Sequence, residues 1–195
     1  LNHLCSWVIN NHNAIFWLSL TACILIITQI TQIRLNDDNI GYFHKDTEIR
    51  KATDFTQENL TGLNTIHYSF NSGLVGGIND PGFLENVDYF TEWVRNLPEV
   101  DSVYSYTDTI KRLNKNLNGD DEAYYSVPDS KELAAHLLFI YEMSLPFGLS
   151  LTDQLTFDRS SMRVSVTVKN LKAGDLLKLE EKIQDWMKYN VPEIK

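Results

Sequence analysis

From Leu1 to Ile33 the chain carries no Asp, Glu, Lys or Arg, and its first charge is Arg34. The whole formal net charge of −9 therefore sits between residues 34 and 195. Cysteine is scarce as well: Cys5 and Cys23 both lie in the uncharged part, so everything after Arg34 is free of thiols. That excludes a disulfide framework and thiolate metal ligands there, and it is compatible with an oxidising compartment. With 9 glycines and 5 prolines in 195 residues, collagen-like and low-complexity readings fail. The surplus of acid argues against nucleic acid as a partner, since such a surface needs cations to displace counterions. What remains is ordinary: 43% hydrophobic and 22% charged residues. A chain of this length can bury a core without staples, because about 150 residues already bury roughly two-thirds of their unfolded surface.

The uncharged part holds one long apolar run. Ala14 to Ile33 is 20 residues, about 30 Å of helix, the thickness of a hydrocarbon core. It reads as a transmembrane helix that includes Ala14, Phe16, Trp17, Leu20, Ile24, Ile27 and Ile33, with residues 1–13 as a cytoplasmic flank. Trp7 and Trp17 suit an interfacial belt. Gln29 and Gln32 belong near an interface or against a neighbouring helix. A secretory signal would need a basic start and a small-residue cleavage site, and neither is visible. A buried core helix of this length without a charge would be unusual, and no polar face exists for an amphipathic one.

Residues 34–62 read as a linker, with the acidic pair Asp37–Asp38, followed by a helix from about Thr47 to Leu60. Asp46 is its expected N-cap and Gly62 its C-cap. Residues 63–195 then alternate strands and helices. Leu63 to Phe70 is a half-buried strand, and Gly73 to Gly77 is a surface loop suited to a hinge or a ligand-entry lip. Asp80–Pro81 opens a helix whose stripe is Phe83, Leu84, Val87, Phe90, Val94 and Leu97. Val100 to Tyr106 is a second strand, and about 107–150 is a helical insertion. That insertion holds a short basic helix, Thr107 to Asn116, and one opened by a capping box at Asp129 and Glu132. Gln154 to Phe157 and Met162 to Lys169 form a hairpin, and Gly174 to Tyr189 is an amphipathic helix. The order predicts an α+β fold: a split βαβ, ferredoxin-like sandwich whose fourth strand lies beyond Lys195.

No constellation of residues carries catalysis. The glycine loop lacks GxGxxG spacing and a GK[ST] ending, and no serine sits in a GxSxG elbow. His3, His12, His44, His67 and His136 do not pair at ligand spacing, and His67 and His136 read as partly buried. Asp37–Asp38 and Asp120–Asp121 lack an EF-hand pattern and read as solvated turns. No catalytic residue, cofactor or metal is expected. The tyrosines and phenylalanines at 104, 106, 124, 125, 139, 141 and 147 gather around the insertion, where most should be core. The helix Glu132 to Leu145 is apolar around more than half its circumference, so it should cover a second face with another domain, another subunit or an apolar ligand.

An ordered series of short motifs runs from the apolar helix to the end of the chain. It passes through Leu35–Asp38, Ala52–Phe55, Asn59–Gly62, Tyr68–Phe70, Gly77–Pro81, Leu97–Val100, Arg112–Asn116, Glu132–Ala135 and Tyr141–Gly148. In that order the series resembles the opening of bacterial exporters of the RND superfamily, MMPL type. The resemblance implies an inner-membrane, proton-driven transporter of lipids or other hydrophobic molecules. Residues from about 34 onward would form most of its first periplasmic porter domain. The implied partners are the lipid bilayer, the remaining membrane helices and second porter domain of the same full-length protein, a hydrophobic cargo and possible further copies of the chain. The alternative is the ligand-sensing periplasmic domain of a membrane-anchored receptor, which shares the helix-then-domain layout. A membrane-anchored enzyme would need a constellation that the residues do not supply.

Overall fold

A computed structural model describes residues 7, 9–30, 41–146 and 151–192. Ile33 and the pair Asp37–Asp38 lie outside the described residues, as do Phe147, His3 and Cys5. The chain forms two compact units, Leu1–Asp37 and Asp38–Lys195. The first holds α1, His12–Ile30, a 19-residue helix without a charged side chain. Phe16, Trp17, Leu18, Ile24, Leu25, Ile26 and Ile27 are all more than half exposed on it. These residues step round the helix at 100° each, so no side of it is polar. Among the described residues no helix is long and apolar enough to cross a membrane. The span expected over 14–33 is thus helical to Ile30.

The second unit is a mixed α+β fold around a small antiparallel sheet. Its elements are α2 (Glu48–Asn59), β1 (Asn64–Asn71), α3 (Pro81–Arg95), β2 (Val100–Tyr104), α4 (Tyr106–Leu117), α5 (Lys131–Ser144), β3 (Ser161–Val168) and α6 (Ala173–Asn190). The strand order is β1-β3-β2, and β3 is antiparallel to both neighbours. Strands β1 and β2 therefore run parallel with β3 inserted between them. Alternation sorts the two faces. Ile66, Tyr68 and Phe70 lie opposite Val166, Val164 and Met162 on the helix-covered face, while Thr65, His67 and Ser69 lie opposite Thr167, Ser165 and Arg163 on the other. Phe70, Met162, Val164, Val166 and Val168 are buried.

Helix α3 carries the stripe its spacing implied. Phe83, Leu84, Val87, Phe90, Val94 and the following Leu97 are all buried. The Asp80 carboxylate caps it by accepting from the Phe83 amide at 3.1 Å, and Pro81 sits at the first helical position. Aromatic rings fasten α3 to α6: Trp93 and Trp186 stack at 4.4 Å with an 11° interplanar angle. Phe90 meets Phe70 edge-on at 4.9 Å, so the same cluster reaches the sheet.

Several local expectations are corrected. The N-cap of α2 is Thr47 and its C-cap is Leu60, in place of Asp46 and Gly62. Gly62 serves a different need. It passes so close to β3 that a Cβ would stand 1.9 Å from the Val168 carbonyl oxygen. The cap of α5 is Ser130, not Asp129; its Oγ accepts from the Leu133 amide at 3.2 Å. The second strand ends at Tyr104 because Ser105 already caps α4. The hairpin shrinks to one bridge, Leu155 to Met162, with a helical turn over Leu151–Asp153 before it.

The glycine loop is no free lip. Gly73 and Gly76 adopt φ of 76° and 69°, which glycine tolerates at no steric cost. That geometry lets the Gly76 amide donate to Asp158 O and the Ile78 amide to Arg159 O, and it buries Gly77, Ile78 and Asn79. His67 and His136 are exposed rather than partly buried, because they lie on the open sheet face and the outer face of α5. Of the described aromatics around the insertion, only Tyr106 is fully buried; Tyr104, Tyr124, Tyr125 and Phe139 are exposed.

A register shift between Val100 and Ser102 leaves Asp101 unpaired in the ladder and turns it toward the start of β1. Its carboxylate accepts from the Gly62 amide at 2.9 Å and the Thr61 hydroxyl at 2.8 Å. The Gly62 and Thr61 donors hold it below the ordinary carboxylate value. This contribution is present above pH 3.8, the usual value, and is lost as pH falls through the lowered one. At Gly62 itself an alanine has no room beside Val168 O. We expect Gly62→Ala to cost about 1–3 kcal/mol, read as a lower urea midpoint, and an unchanged midpoint would show that β1 can shift away from β3.

Candidate functional site

The chemistry of the second unit gathers where α3 packs on α4. Asp88 and Glu92, four residues apart on α3, face Asp108 and Lys111, three apart on α4. Oxygens of Asp88, Glu92 and Asp108 all lie within 4.8 Å of one another. That spacing would suit a cation, and the chain supplies one. The Lys111 ammonium stands 2.6 Å from Asp88, 3.3 Å from Glu92 and 3.9 Å from Asp108. Arg95 closes the outside, 2.7 Å from both Glu92 and Asp108. The ammonium also sits 5.2 Å from the centre of the Tyr125 ring. The arrangement is an internal ion network, its metal-like centre filled by lysine.

Burial sets its electrostatics. Lys111 is only 5% exposed. Burial alone would lower its pKa, but hydrogen bonding and charge from Asp88, with Asp108 and Glu92, hold it above the ordinary lysine value. Asp108 is raised chiefly by burial, against the pull of Arg95 and Lys111. Sequence reasoning saw a basic helix at 107–116 and missed the network. The available signal was Lys111 beside the inward-facing Ile110, on the buried stripe of an otherwise charged helix.

Beside the network a cleft of about 600 Å³ opens to solvent. Its floor is one face of α4, with Asp108, Thr109, Arg112, Leu113 and Asn116. Val103 and Tyr104 of β2, Arg95 of α3, Tyr125, and Tyr141 and Ser144 of α5 form its walls. Here two of the exposed tyrosines, Tyr104 and Tyr125, find their place lining the cleft, together with the half-buried Tyr141. A smaller groove of about 250 Å³ lies between the end of β1 and the end of α6, lined by Tyr68, Phe70, Met187, Val191 and Pro192 among others. The Tyr68 hydroxyl is buried with no hydrogen-bond partner, and burial, then the Glu180 charge, pushes it up to about 12.

The outer face of α5 is apolar and open, as its composition implied. Phe139 and Met143 are 59% and 72% exposed, while Ala134, Leu137 and Leu138 on the opposite face are buried. His12, His44, His67 and His136 stand apart from any acidic cluster of ligand geometry, and Asp120 and Asp121 shape a turn. The residues assigned to the membrane helix, Ala14, Phe16, Trp17, Leu20, Ile24 and Ile27, all lie on α1. Comparison with family models, curated proteins and solved structures finds no match to this chain.

Replacing Lys111 with methionine keeps a long side chain and removes the ammonium. Asp88 loses its cation, while Arg95 still reaches Glu92 and Asp108. Because these carboxylates are only partly buried, we expect a loss of about 2–3 kcal/mol near pH 8, below the full cost of orphaning a buried ion. Asp108, already raised by burial, then loses the pull of Lys111 and binds its proton more tightly folded than unfolded. The penalty is therefore present at high pH and relieved as pH falls through its raised value. Urea unfolding at about pH 8 and pH 5 reads both, and an equal loss at the two would refute the electrostatic account.

Proposed function

We propose that this chain is a membrane-attached, non-catalytic domain of an exporter, resembling the first porter domain of RND transporters of the MMPL type. The observation that carries the membrane part is α1. A charge-free helix with apolar side chains exposed on every side is stable only in an apolar medium. The charge-free sequence runs on to Ile33, which brings the run to a spanning length.

The porter reading draws on the strand order. In a ferredoxin-like split βαβ, the order β1-β3-β2 leaves one edge of β1 for a fourth strand. Helix α6 ends at Asn190, and its last turn joins Phe70 at the end of β1 to line the small groove. A strand following it would run back along β1. The open apolar face of α5 supplies a surface for a neighbouring domain or copy. A hydrophobic cargo would pass between such units as they shift. The second reading, a ligand-sensing domain, is favoured by the solvent-open cleft.

The anchor is tested by flotation of the full chain with phosphatidylcholine vesicles. We expect it to float and to resist alkaline carbonate, and Ile24→Arg to weaken both, since an arginine at mid-helix costs about 2.5–3.5 kcal/mol of insertion. A chain that stays at the bottom of the gradient overturns the membrane reading. The sequence after Lys195 separates the two functions. Five closely spaced apolar segments, one bearing an acidic residue, support the exporter, and a single span followed by a charged module supports the sensor.

A further inference from the structure

We propose that the cleft over α4 binds a compact aromatic anion, with its oxyanion group on Arg112 and its ring among the tyrosines. Three charged side chains line the cleft: Arg95, Asp108 and Arg112. Arg95 and Asp108 satisfy one another at 2.7 Å, Arg95 also holds Glu92, and Asp108 also faces Lys111. Both are ion-paired inside the network, whose three carboxylates outnumber its two cations. Arg112 is one turn further along the same face of α4. Among the described residues its guanidinium has no carboxylate within ion-pair distance. Arg112 is thus the lining cation of the cleft that no described carboxylate pairs. The guanidinium fork matches a carboxylate or a phosphate in plane and spacing.

The walls choose the rest of the ligand. Tyr104, Tyr125 and Tyr141 come from three different segments and face one space with Leu113. Such rings offer flat apolar surface together with hydroxyls. A cationic ligand would meet Arg112 with no free carboxylate to offset it. A wholly apolar ligand would bury the guanidinium unpaired, which is costly. A volume of about 600 Å³ falls within the range of small-molecule sites. The inference goes beyond the membrane reading, which stands or falls by flotation alone.

Calorimetric titration of the full chain in uncharged detergent micelles tests it, with phenyl phosphate, inorganic phosphate and benzyl alcohol as probes. We expect saturable binding of phenyl phosphate at one site, and binding of the other two weaker by about tenfold or more. Arg112→Gln should lower phenyl phosphate affinity by about tenfold and leave the thermal midpoint in place, since the side chain is exposed. Tyr104→Leu should weaken phenyl phosphate and leave inorganic phosphate unaffected. No saturable binding at millimolar phenyl phosphate, or equal affinity in Arg112→Gln, overturns the proposal. So does inorganic phosphate binding as tightly as the phenyl ester.

Discussion

Strand β3 is the constraint on which the second unit depends. Every ladder hydrogen bond of the sheet runs through it, because β1 and β2 touch β3 and never each other. Its partners in β1 are about a hundred residues earlier in the chain: Thr65 meets Thr167 across 102 positions. No part of the sheet can close until β3 arrives, so the loop entropy falls on a late, long-range event. What repays it is alternation. Val164, Val166 and Val168 are fully buried, and α3 and α6 rest on that same face. The cost of closure grows slowly with loop length, which is why the chain between β2 and β3 can hold two helices and still return in register.

The ion network solves a different problem. Helix α4 is strongly two-faced, yet its buried side includes Lys111 and Asn114 beside Ile110. A lone buried ammonium would be prohibitive. Three carboxylates make it tolerable, and they fix the azimuth of α4 against α3 more narrowly than apolar contact would. Arg95 links this network to the cleft, since it braces Asp108 and also forms part of the wall. The cleft thus has a rigid floor, with Arg112 on a helix that the network cannot let turn.

How much of this was legible follows from the kind of interaction involved. The stripe of α3 and the alternation of β3 were readable because each is a local period with one buried face. The N-caps were displaced by one position, to Thr47 and Ser130: Ser130 takes the Leu133 amide that Asp129 was expected to serve, while Thr47 opens α2 without a side-chain cap bond. Gly62 was read as a cap, but the cause of its smallness is Val168, more than a hundred residues away. The tyrosines misled because aromatic content says nothing about whether a ring faces core or cleft. Tyr106 is buried and Tyr104, two residues earlier, is exposed. The network and the cleft were illegible for one reason: the network joins α3 to α4 and the cleft joins α4 to β2, Tyr125 and α5, and how separate elements meet is not written in any one of them.

The two units pose opposite surface problems. Helix α1 exposes apolar side chains and no charge, while the entire −9 lies after Ile33. A strongly acidic body tethered to an apolar helix is repelled by anionic lipid within about one Debye length, roughly 8–10 Å in physiological salt. The same field opposes an anion approaching the cleft from solution. Recognition there must therefore be short-ranged, a matter of contact with Arg112 and the rings rather than steering. Added salt screens the repulsion at long range and leaves a guanidinium–oxyanion contact largely intact. Such a site gains in association rate what it loses little of in affinity, which is the reverse of a site built by charge attraction.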